Sequence, residues 1–309
     1  MYNKFEEQLK SILSEEQIKK NEVLANHTTF RMGGPADFFL TPGNEREVSE
    51  LLKLCNACEI PYYVLGNGSN ILAGDQGFRG VILQIGKGMD FIDFEEEVDG
   101  RVRVRAGAGV LLSKLAKAAA KLALTGFEFA AGIPGYLGGA VAMNAGAYGG
   151  EIKDSICQAK VITTEGKCIT LSQKELELGY RSSIVQREQY IVTEATFVLQ
   201  KGTEQEILDT MADFQMRRKE KQPLEFPSAG STFKRPEGYF AGKLIEDAGL
   251  KGYRVGDIMV SEKHCGFVVN VGQGTAADTY QLIQDVKNKV YEQFQVELEP
   301  EVRIIGEGF

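Results

Sequence analysis

The sequence predicts a mixed α+β fold, in which a larger N-terminal region of two subdomains precedes a smaller α/β domain. The chain has 309 residues, more than one domain usually holds, and its 43% hydrophobic residues supply enough apolar surface for two or three cores. Strand-like runs bounded by glycine turns alternate with helical patterns, and this first region gives way to a helix near Gly202. We therefore place the larger region at residues 1–201, with subdomains at about 20–86 and 87–201, and the smaller domain at 202–309.

The elements of the larger region follow from hydrophobic spacing. Phe5, Leu9, Ile12 and Leu13 recur at helical intervals, so about the first twenty residues are predicted to form one amphipathic helix. A helix over about 45–58 then leads to a buried strand at 62–65, which gives a β-α-β order. The remaining predictions are strands over 80–85 and 101–105, a helix over 111–124, a hairpin over 159–172 and a strand over 190–200.

The smaller domain is predicted from the same kinds of pattern. Its first helix covers about 204–219 and ends in a run of basic residues, which suits the negative end of a helix. Thr275 and Asp278 have the spacing of a cap for a long C-terminal helix. The other predicted elements are a helix over 242–248, a strand over 266–271 and a closing strand over 296–305.

Composition and charge argue against several classes of protein. The formal net charge of −8 disfavours a surface for nucleic acid or anionic membranes. The N-terminus lacks the apolar core of a signal peptide and no stretch approaches membrane-spanning length, so a cytoplasmic location is expected. Among five cysteines, Cys55 and Cys58 form a lone CxxC on the apolar face of a predicted helix. Buried, reduced thiols are favoured there over a metal site, and no metal is predicted.

The most unusual stretch runs from Gly126 to Ile152 and contains eight glycines and six alanines. Without Cβ atoms the backbone can approach a ligand closely, and glycine turns expose N–H groups that bind anions. Bulky residues such as Ile133, Tyr136 and Met143 interrupt the small ones, which indicates an ordered segment and argues against a flexible linker. A tight helix and turn packed against a sheet would explain the composition equally well.

A second glycine loop favours the ligand. The strand at 62–65 runs directly into the sequence GNGSN at residues 66–70, and two phosphate-competent loops in one chain suggest a dinucleotide. Gly107 and Gly109 also follow a strand. However, Leu112 stands where the third glycine of a Rossmann fingerprint would be, so we reject Rossmann-type binding.

Together the two loops resemble the MurB family, the UDP-N-acetylenolpyruvoylglucosamine reductases. That family carries GxGSN in the first loop and IPGxxGGAxxxNxGAYG in the second, and both patterns are present here. The similarity extends to YRSS at 180–183, AGSTFKRP at 229–236 and LEPEVRIIG at 298–306, so it covers nearly the whole chain. It implies a two-subdomain FAD-binding region of the PCMH type, shared with vanillyl-alcohol oxidases, followed by a substrate-binding domain. No inserted segment with an extra tyrosine is evident, which implies the shorter class of the family.

The resemblance implies FAD held without a covalent bond by the two loops. The residues concerned are Leu65, Gly66, Asn67, Gly68, Ser69 and Asn70 in the first loop, and Gly132, Ile133, Pro134, Gly138, Gly139, Asn144, Gly146, Ala147, Tyr148 and Gly149 in the second. If close approach of the backbone is what these glycines contribute, valine at Gly68 or Gly139 is expected to give a folded protein without FAD.

The implied reaction is the NADPH-driven reduction of UDP-N-acetylglucosamine enolpyruvate to UDP-N-acetylmuramate, in peptidoglycan precursor synthesis. Hydride addition to the methylene carbon leaves carbanion character next to a carboxylate. By resemblance, Arg181 binds that carboxylate, Ser231 donates the proton and Glu301 assists. Taken singly, each could be structural: Arg181 as a strand-end cap, Ser231 as a turn residue and Glu301 as an exposed strand carboxylate.

The resemblance also implies substrate contacts outside this set. Lys221 matches a family lysine that contacts the diphosphate, and His264 falls at a polar substrate contact, although Cys265 could equally line the site. Arg235 stands where some members have asparagine, so its role is open. The implied partners are the nucleotide sugar and NADPH, with no nucleic acid and no membrane, and a monomer or weak homo-oligomer is expected.

Two other interpretations are kept. A flavin-dependent alcohol or hydroxy-acid oxidase could share the fold, but such enzymes often attach flavin through histidine, and neither His27 nor His264 lies in a glycine loop. As an isolated histidine, His27 is interpreted as structural. A regulator that binds nucleotide sugars is the non-enzymatic alternative, and the chemically competent residues at 181, 231 and 301 disfavour it.

Overall fold

The computed structural model describes residues 2–96 and 100–309, which form two compact units. The first unit comprises the chain up to Lys19, Phe38–Gly66 and Val81–Arg217. The second comprises Lys20–Asp37, Asn67–Gly80 and Arg218–Phe309. Each unit has its own cluster of buried apolar side chains.

The described elements mix helices and strands throughout. The helices are α1 (Tyr2–Ile12), α2 (Glu45–Ala57), α3 (Leu112–Lys121), α4 (Leu137–Ala142), α5 (Ile184–Arg187), α6 (Glu204–Lys221), α7 (Ala241–Asp247) and α8 (Ala276–Phe294). The strands are β1 (Ile18–Val23), β2 (Pro35–Leu40), β3 (Tyr62–Leu65), β4 (Ile71–Ala73), β5 (Phe78–Gln84), β6 (Ile92–Glu96), β7 (Arg101–Gly107), β8 (Leu124–Thr125), β9 (Gly146–Ala147), β10 (Gly150–Glu151), β11 (Ile156–Ile162), β12 (Cys168–Ser172), β13 (Ile191–Lys201), β14 (Ser228–Ser231), β15 (Arg254–Val255), β16 (Ile258–Val260), β17 (Phe267–Asn270) and β18 (Arg303–Ile305).

The first unit is built around a six-stranded sheet. Its order is β12-β11-β13-β7-β6, and β8 pairs with the end of β13. The neighbours of β13 are antiparallel, with Thr196 opposite Arg105 of β7 and Glu194 opposite Lys160 of β11. The predicted alternation along β7 is confirmed, since every second residue of Arg101–Arg105 is exposed. Antiparallel neighbours need no crossover helix, so this is not the parallel sheet of a Rossmann fold.

Helices of the first unit bury their apolar faces in its core. In α3, Leu115, Ala116 and Ala119 are buried, and the small alanines allow the helix to lie close to its neighbours. The predicted helix at 45–58 is α2, which buries Cys55 as expected and leaves Cys58 half-buried. Burial raises the pKa of the Cys55 thiol to about 12, so the thiol stays protonated and unreactive near neutral pH.

The strand before the first glycine loop is β3, which runs parallel to β5 with Tyr62 opposite Val81. It belongs to a four-stranded sheet of order β1-β2-β5-β3. We predicted a buried strand here, but only Leu65 is fully buried and the three residues before it are half-buried. The strand therefore delivers its last residue into the core immediately before Gly66.

The second unit contains an antiparallel sheet of order β14-β17-β16-β15 and a parallel pair, β4 with β18. Along α8, Ile283, Val286 and Val290 are buried and Phe294 is half-buried, as the spacing predicted. The predicted cap is confirmed: the Asp278 N–H donates to Thr275 Oγ1 at 3.0 Å, and the Thr275 N–H donates to Asp278 Oδ2 at 3.2 Å. Asp75 adds a long-range cap, because its carboxylate accepts from the Ala276 and Ala277 N–H groups at 2.8 and 3.0 Å.

Two predicted elements are shorter in the structure than expected, and one is slightly longer. The N-terminal helix ends at Ile12, because Ser14 caps a new short turn by donating its N–H to the Gln17 side chain, and β1 follows. The closing strand covers only Arg303–Ile305 of the predicted 296–305. Earlier in the predicted range, Pro300 forms only an isolated bridge with Phe233. The helix predicted over 204–219 extends to Lys221.

Across residues 2–96 and 100–309, no helix is both long enough and apolar enough to cross a membrane. The same residues contain no group of three or more His, Cys, Asp or Glu side chains able to hold a metal ion.

We predict that Thr275→Ala lowers the free energy of unfolding of the second unit. The mutation removes the hydroxyl that satisfies the Asp278 N–H at the start of α8, and loss of such a cap costs about 1 kcal/mol. Urea denaturation followed by circular dichroism measures the change. Thr210→Ala in α6 is the matched control, because the Thr210 hydroxyl bonds back to the Glu206 carbonyl within an exposed helix. An equal loss in both variants would contradict the capping role.

Candidate active site

The central stretch folds into a 3-10 turn (Glu128–Gly132), the short helix α4 and the β9–β10 hairpin. The structure distinguishes the surroundings of its individual glycines. A Cβ on Gly138 would lie 3.0 Å from the Ala108 Cβ, so a side chain here would crowd its neighbour. A Cβ on Gly139 would have no atom within 4 Å, so the backbone here is open to a ligand.

The backbone at the start of α4 is fixed by the segment that follows β7. The Leu137 N–H donates to the Val110 carbonyl at 2.8 Å, and the Gly138 N–H donates to the Ala108 carbonyl at 2.9 Å. These two amides are thus committed within the protein. Of the residues named for this loop, Gly132 and Ile133 are half-buried, whereas Pro134 and Gly139 are exposed.

The first unit brings the start of the first glycine loop to the second loop. A Cβ on Gly66 would lie 3.8 Å from Tyr136, and a Cβ on Gly86 would lie 3.6 Å from the same ring. Leu65, the residue before Gly66, is held in β3 and accepts the Ile85 N–H through its carbonyl. Tyr136 therefore lies beside the start of the first loop, a contact that sequence patterns alone did not reveal.

The rest of the first loop lies in the second unit. Gly68 has a φ of +64°, and a Cβ there would lie 1.9 Å from the His27 carbonyl oxygen. The expectation that Gly68→Val would fold is therefore wrong, because any side chain at this position would clash with the His27 carbonyl. Asn67 and Ser69 flank it and are half-buried. His27 forms a hydrogen bond between its Nε2 and the Glu22 carboxylate at 2.7 Å, which agrees with its structural interpretation.

The β9–β10 hairpin places two residues with positive φ at its tip, Tyr148 at 53° and Gly149 at 90°. This is the backbone that two-residue hairpin turns favour, but a tyrosine adopts it at a cost. The Tyr148 ring stacks on Phe214 of α6, with ring centroids 4.5 Å apart and planes inclined by 10°. Gly149 has room for a ligand, since nothing lies within 4 Å of where its Cβ would be.

Arg181 lies in a tight turn of the first unit. Gly179 and Ser182 exchange backbone hydrogen bonds of 3.0 and 3.3 Å, so Tyr180 and Arg181 form the tip. The φ of Arg181 is +51°, and its guanidinium carbon lies 5.2 Å from the centroid of the Tyr180 ring. The turn thus holds Arg181 in the left-handed region, which costs a non-glycine residue some free energy.

Ser231 and Glu301 come from paired segments of the second unit. The Glu301 N–H donates to the Thr232 carbonyl at 2.8 Å, and Phe233 forms a bridge with Pro300. Asn70, the end of the first glycine loop, joins this pair by donating its side-chain amide to the Glu301 carbonyl at 3.1 Å. Thr232 is buried and accepts the Val268 N–H, while Ser231 beside it is exposed. The structure thus brings together Asn70, Ser231 and Glu301.

The three predicted substrate contacts are also residues of the second unit, and all are exposed. Lys221 is the last residue of α6. Arg235 lies with its guanidinium carbon 3.9 Å from the centroid of the Phe240 ring, and its Nε–H donates to the Tyr239 carbonyl. Cys265, the alternative to His264 at this position, is buried.

His264 has one ring nitrogen committed to the protein. The Gly266 N–H donates to His264 Nδ1 at 3.0 Å, and the ring lies edge-on to Phe267. A Cβ on Gly242 would come within 3.2 Å of the imidazole, so that glycine lets helix α7 approach it. Burial of the ring lowers the pKa of His264, although the residue as a whole stays exposed. A neutral imidazole that accepts at Nδ1 carries its proton on Nε2 and can donate there.

Comparison with known proteins gives concordant results. Residues 222–305 match the family described as UDP-N-acetylenolpyruvoylglucosamine reductase, C-terminal domain, and residues 36–172 match the FAD binding domain family. UDP-N-acetylenolpyruvoylglucosamine reductase from Lachnoclostridium phytofermentans is 55% identical over 99% of both chains, and that from Agathobacter rectalis is 54% identical over 94% of both. The crystal structure of the reductase (MurB) from Thermus caldophilus is 36% identical and covers 94% of this chain and 100% of its own, with a TM-score of 0.78.

The geometry of the first unit fits an FAD cofactor. Gly139 and Gly149 leave open space where side chains would stand, and the nearest atoms to a Cβ on Gly66 are those of Tyr136 at 3.8 Å. A flat, extended group can therefore approach the backbone at these positions.

We predict that the His264 imidazole is neutral at pH 7, with the proton on Nε2. Burial of the ring disfavours the charged imidazolium, so the pKa of His264 should lie below the ordinary value of about 6.5. Because the unfolded chain then binds the proton more readily, this group should destabilise the fold only as the pH falls. Nitrogen-15 NMR of the imidazole during a pH titration measures both the tautomer and the midpoint, and His27→Gln assigns the signals. A proton on Nδ1, or a midpoint above the ordinary value, would contradict the geometry.

Proposed function

Because the chain belongs to the UDP-N-acetylenolpyruvoylglucosamine reductase family, we propose that it uses NADPH and FAD to reduce UDP-N-acetylglucosamine enolpyruvate to UDP-N-acetylmuramate. The observation that carries the proposal is 55% identity to such a reductase along 99% of both chains. The reaction supplies a peptidoglycan precursor. We place the enzyme in the cytoplasm, as a monomer or weak homo-oligomer, with FAD bound by residues 1–201 and substrate bound mainly by residues 202–309.

The FAD contacts assigned by family resemblance are residues 65–70, 132–134, 138–139 and 146–149. Within this set the backbone is open at Gly139 and Gly149. Gly139 and Gly149 support this assignment most directly. No protein atom would clash with a side chain at Gly139, so packing does not explain why glycine stands there. Gly149 lies at an exposed hairpin tip. When bound there, FAD would supply the hydride-transfer chemistry that couples oxidation of NADPH to reduction of the enolpyruvyl group.

Arg181 is assigned to the substrate carboxylate. A guanidinium offers a planar fork of donors and stays charged at any working pH, so it can neutralise the negative charge that spreads into the carboxylate during hydride addition. The hydrogen bonds of the tight turn hold the Arg181 backbone, and the guanidinium carbon lies 5.2 Å from the centroid of the Tyr180 ring before substrate arrives. Such preorganisation is what makes electrostatic stabilisation effective.

Protonation of the substrate carbon is assigned to Ser231, assisted by Glu301. A serine hydroxyl is a weak acid, so it can serve only if the carbon is strongly basic and the hydroxyl is well positioned. Buried Thr232 fixes the backbone beside Ser231 through hydrogen bonds to Val268 and Glu301. The diphosphate is assigned to Lys221, and further polar contacts of the substrate are assigned to Arg235 and to the Nε2–H of His264.

We predict that Gly139→Val gives a folded protein that has lost FAD. The space next to Gly139 is open, so the protein tolerates the side chain while the cofactor does not. The ratio of flavin to protein absorbance after purification measures FAD, and a thermal melt monitors folding. Gly43→Val is the matched control, since its Cβ would meet only the tip of the Glu47 side chain at 3.6 Å and that of Gln17 at 3.7 Å. Stoichiometric FAD in Gly139→Val would overturn the loop assignment.

We predict that Ser231→Ala separates the two half-reactions. Reduction of the flavin by NADPH involves no protonation of carbon, so stopped-flow bleaching should proceed at nearly the wild-type rate. Reoxidation by the enolpyruvyl substrate should slow by more than the ~10²–10⁴-fold typical of a lost acid, and Ser231→Cys should recover part of the rate.

The substitution should have little effect on the fold, because Ser231 is exposed and loss of its hydroxyl should leave no buried polar group unpaired. Equal slowing of both half-reactions would return Ser231 to a turn residue. A wild-type protein bleached by NADPH but not reoxidised by the enolpyruvyl sugar nucleotide would contradict the proposed function itself.

A further inference from the structure

Asn144 is the most buried polar residue of the central stretch. It follows α4, is 1% exposed and has a φ of +44°, a conformation that asparagine adopts more readily than most residues. Its place in the glycine-rich motif made it a candidate FAD contact. The hydrogen bonds of its side chain, however, all go to other parts of the protein.

Every hydrogen on the Asn144 amide is committed to the protein. The Nδ2 group donates to Glu151 Oε2 at 2.7 Å and to the Gly179 carbonyl at 3.0 Å, and Oδ1 accepts the Lys153 N–H at 2.9 Å. A primary amide has two donor hydrogens. Asn144 therefore has none to offer a cofactor unless one of these bonds breaks.

One of these bonds ends on the turn that holds Arg181. Gly179 is the first residue of that turn, and its carbonyl accepts from both Asn144 and Ser182. A second bond joins the same two segments, because buried Ser183 donates its hydroxyl to the Ala142 carbonyl at 2.6 Å. The end of α4 is thus tied to both sides of the Tyr180–Arg181 tip.

The charges around Asn144 support the same arrangement. The Lys153 side chain, 2.9 Å away, holds the pKa of Glu151 below its ordinary value, and the bond from Asn144 and the charge of Arg181 act in the same direction. Glu151 is therefore ionised at neutral pH. The negative charge of Glu151 attracts the Arg181 guanidinium and so favours one placement of it.

We propose that Asn144 is a positioning residue for Arg181, which it holds against the glycine-rich stretch through the Gly179 carbonyl. The proposal rests on the proposed function in one respect, since it takes the ligand of Arg181 to be the substrate carboxylate. It predicts an effect confined to carboxylate recognition. A residue that bound FAD would instead affect the cofactor first.

The test is Asn144→Asp, which preserves size but cannot donate to Gly179 when ionised. FAD content and the rate of bleaching by NADPH should stay within about twofold of wild type. The dissociation constant of the enolpyruvyl substrate, read from the flavin spectrum, should rise roughly 10-fold to 10²-fold, the scale of a misplaced binding group. The dissociation constant of UDP-N-acetylglucosamine, which lacks the carboxylate, should not change.

Asn56→Asp is the matched control, because exposed Asn56 also donates its amide to a backbone carbonyl, that of Thr164 at 2.7 Å. It should leave all four measurements unchanged. If Asn144→Asp does not fold, Ser183→Ala is used instead, because it removes the hydrogen bond to the Ala142 carbonyl that also joins the two segments. It should weaken binding of the enolpyruvyl substrate only.

Three results would overturn the proposal: loss of FAD in Asn144→Asp, equal weakening of both nucleotide sugars, or no change in any measurement. Failure of wild-type protein to bind either nucleotide sugar would count against the proposed function, and the FAD content of Asn144→Asp would still decide whether this residue holds the cofactor.

Discussion

The docking of α4 on the segment after β7 is the constraint on which the candidate site depends. Two backbone hydrogen bonds, from Leu137 to Val110 and from Gly138 to Ala108, fix the short helix, and the missing Cβ of Gly138 allows the contact. Because successive residues of a helix point in different directions, fixing Gly138 inward turns Gly139 outward. The end of the same helix then places Asn144 under the Arg181 turn. One close backbone approach thus sets both the open surface and the arginine.

Glycine serves two purposes in this chain, and the sequence does not distinguish them. Gly139 and Gly68 are both motif glycines, yet a Cβ on Gly139 would meet open space and a Cβ on Gly68 would clash with the His27 carbonyl. The difference comes from a loop about forty residues earlier, which no local pattern reveals. Close packing and ligand binding make the same demand on the backbone, namely the absence of a Cβ. Only the surrounding atoms show which demand applies.

What could be predicted from sequence is what depends on neighbours along the chain. The alternation of β7, the capping box of α8 and the antiparallel hairpin β11–β12 are local, and their positions were predicted closely. The length of α1 was wrong because the cap at Ser14 competes with continued helix. The stack of Tyr148 on Phe214 and the link from Asn70 to Glu301 join residues far apart in sequence, so no spacing rule could find them. The motif residues were named by resemblance, whereas their supports were visible only in the structure.

The cations assigned to the substrate lie in two different kinds of surroundings. Arg181 and Arg235 each lie over an aromatic ring, at 5.2 Å from Tyr180 and 3.9 Å from Phe240. A ring face restricts a guanidinium to one plane while its edge donors still point away from the ring, which suits planar groups such as a carboxylate. Lys221, at the exposed end of α6, is a compact charge on a flexible stem, which suits the less directional demands of a diphosphate. In a chain with a net charge of −8, the proposed anion binding would depend on a few individual cations and not on a basic surface.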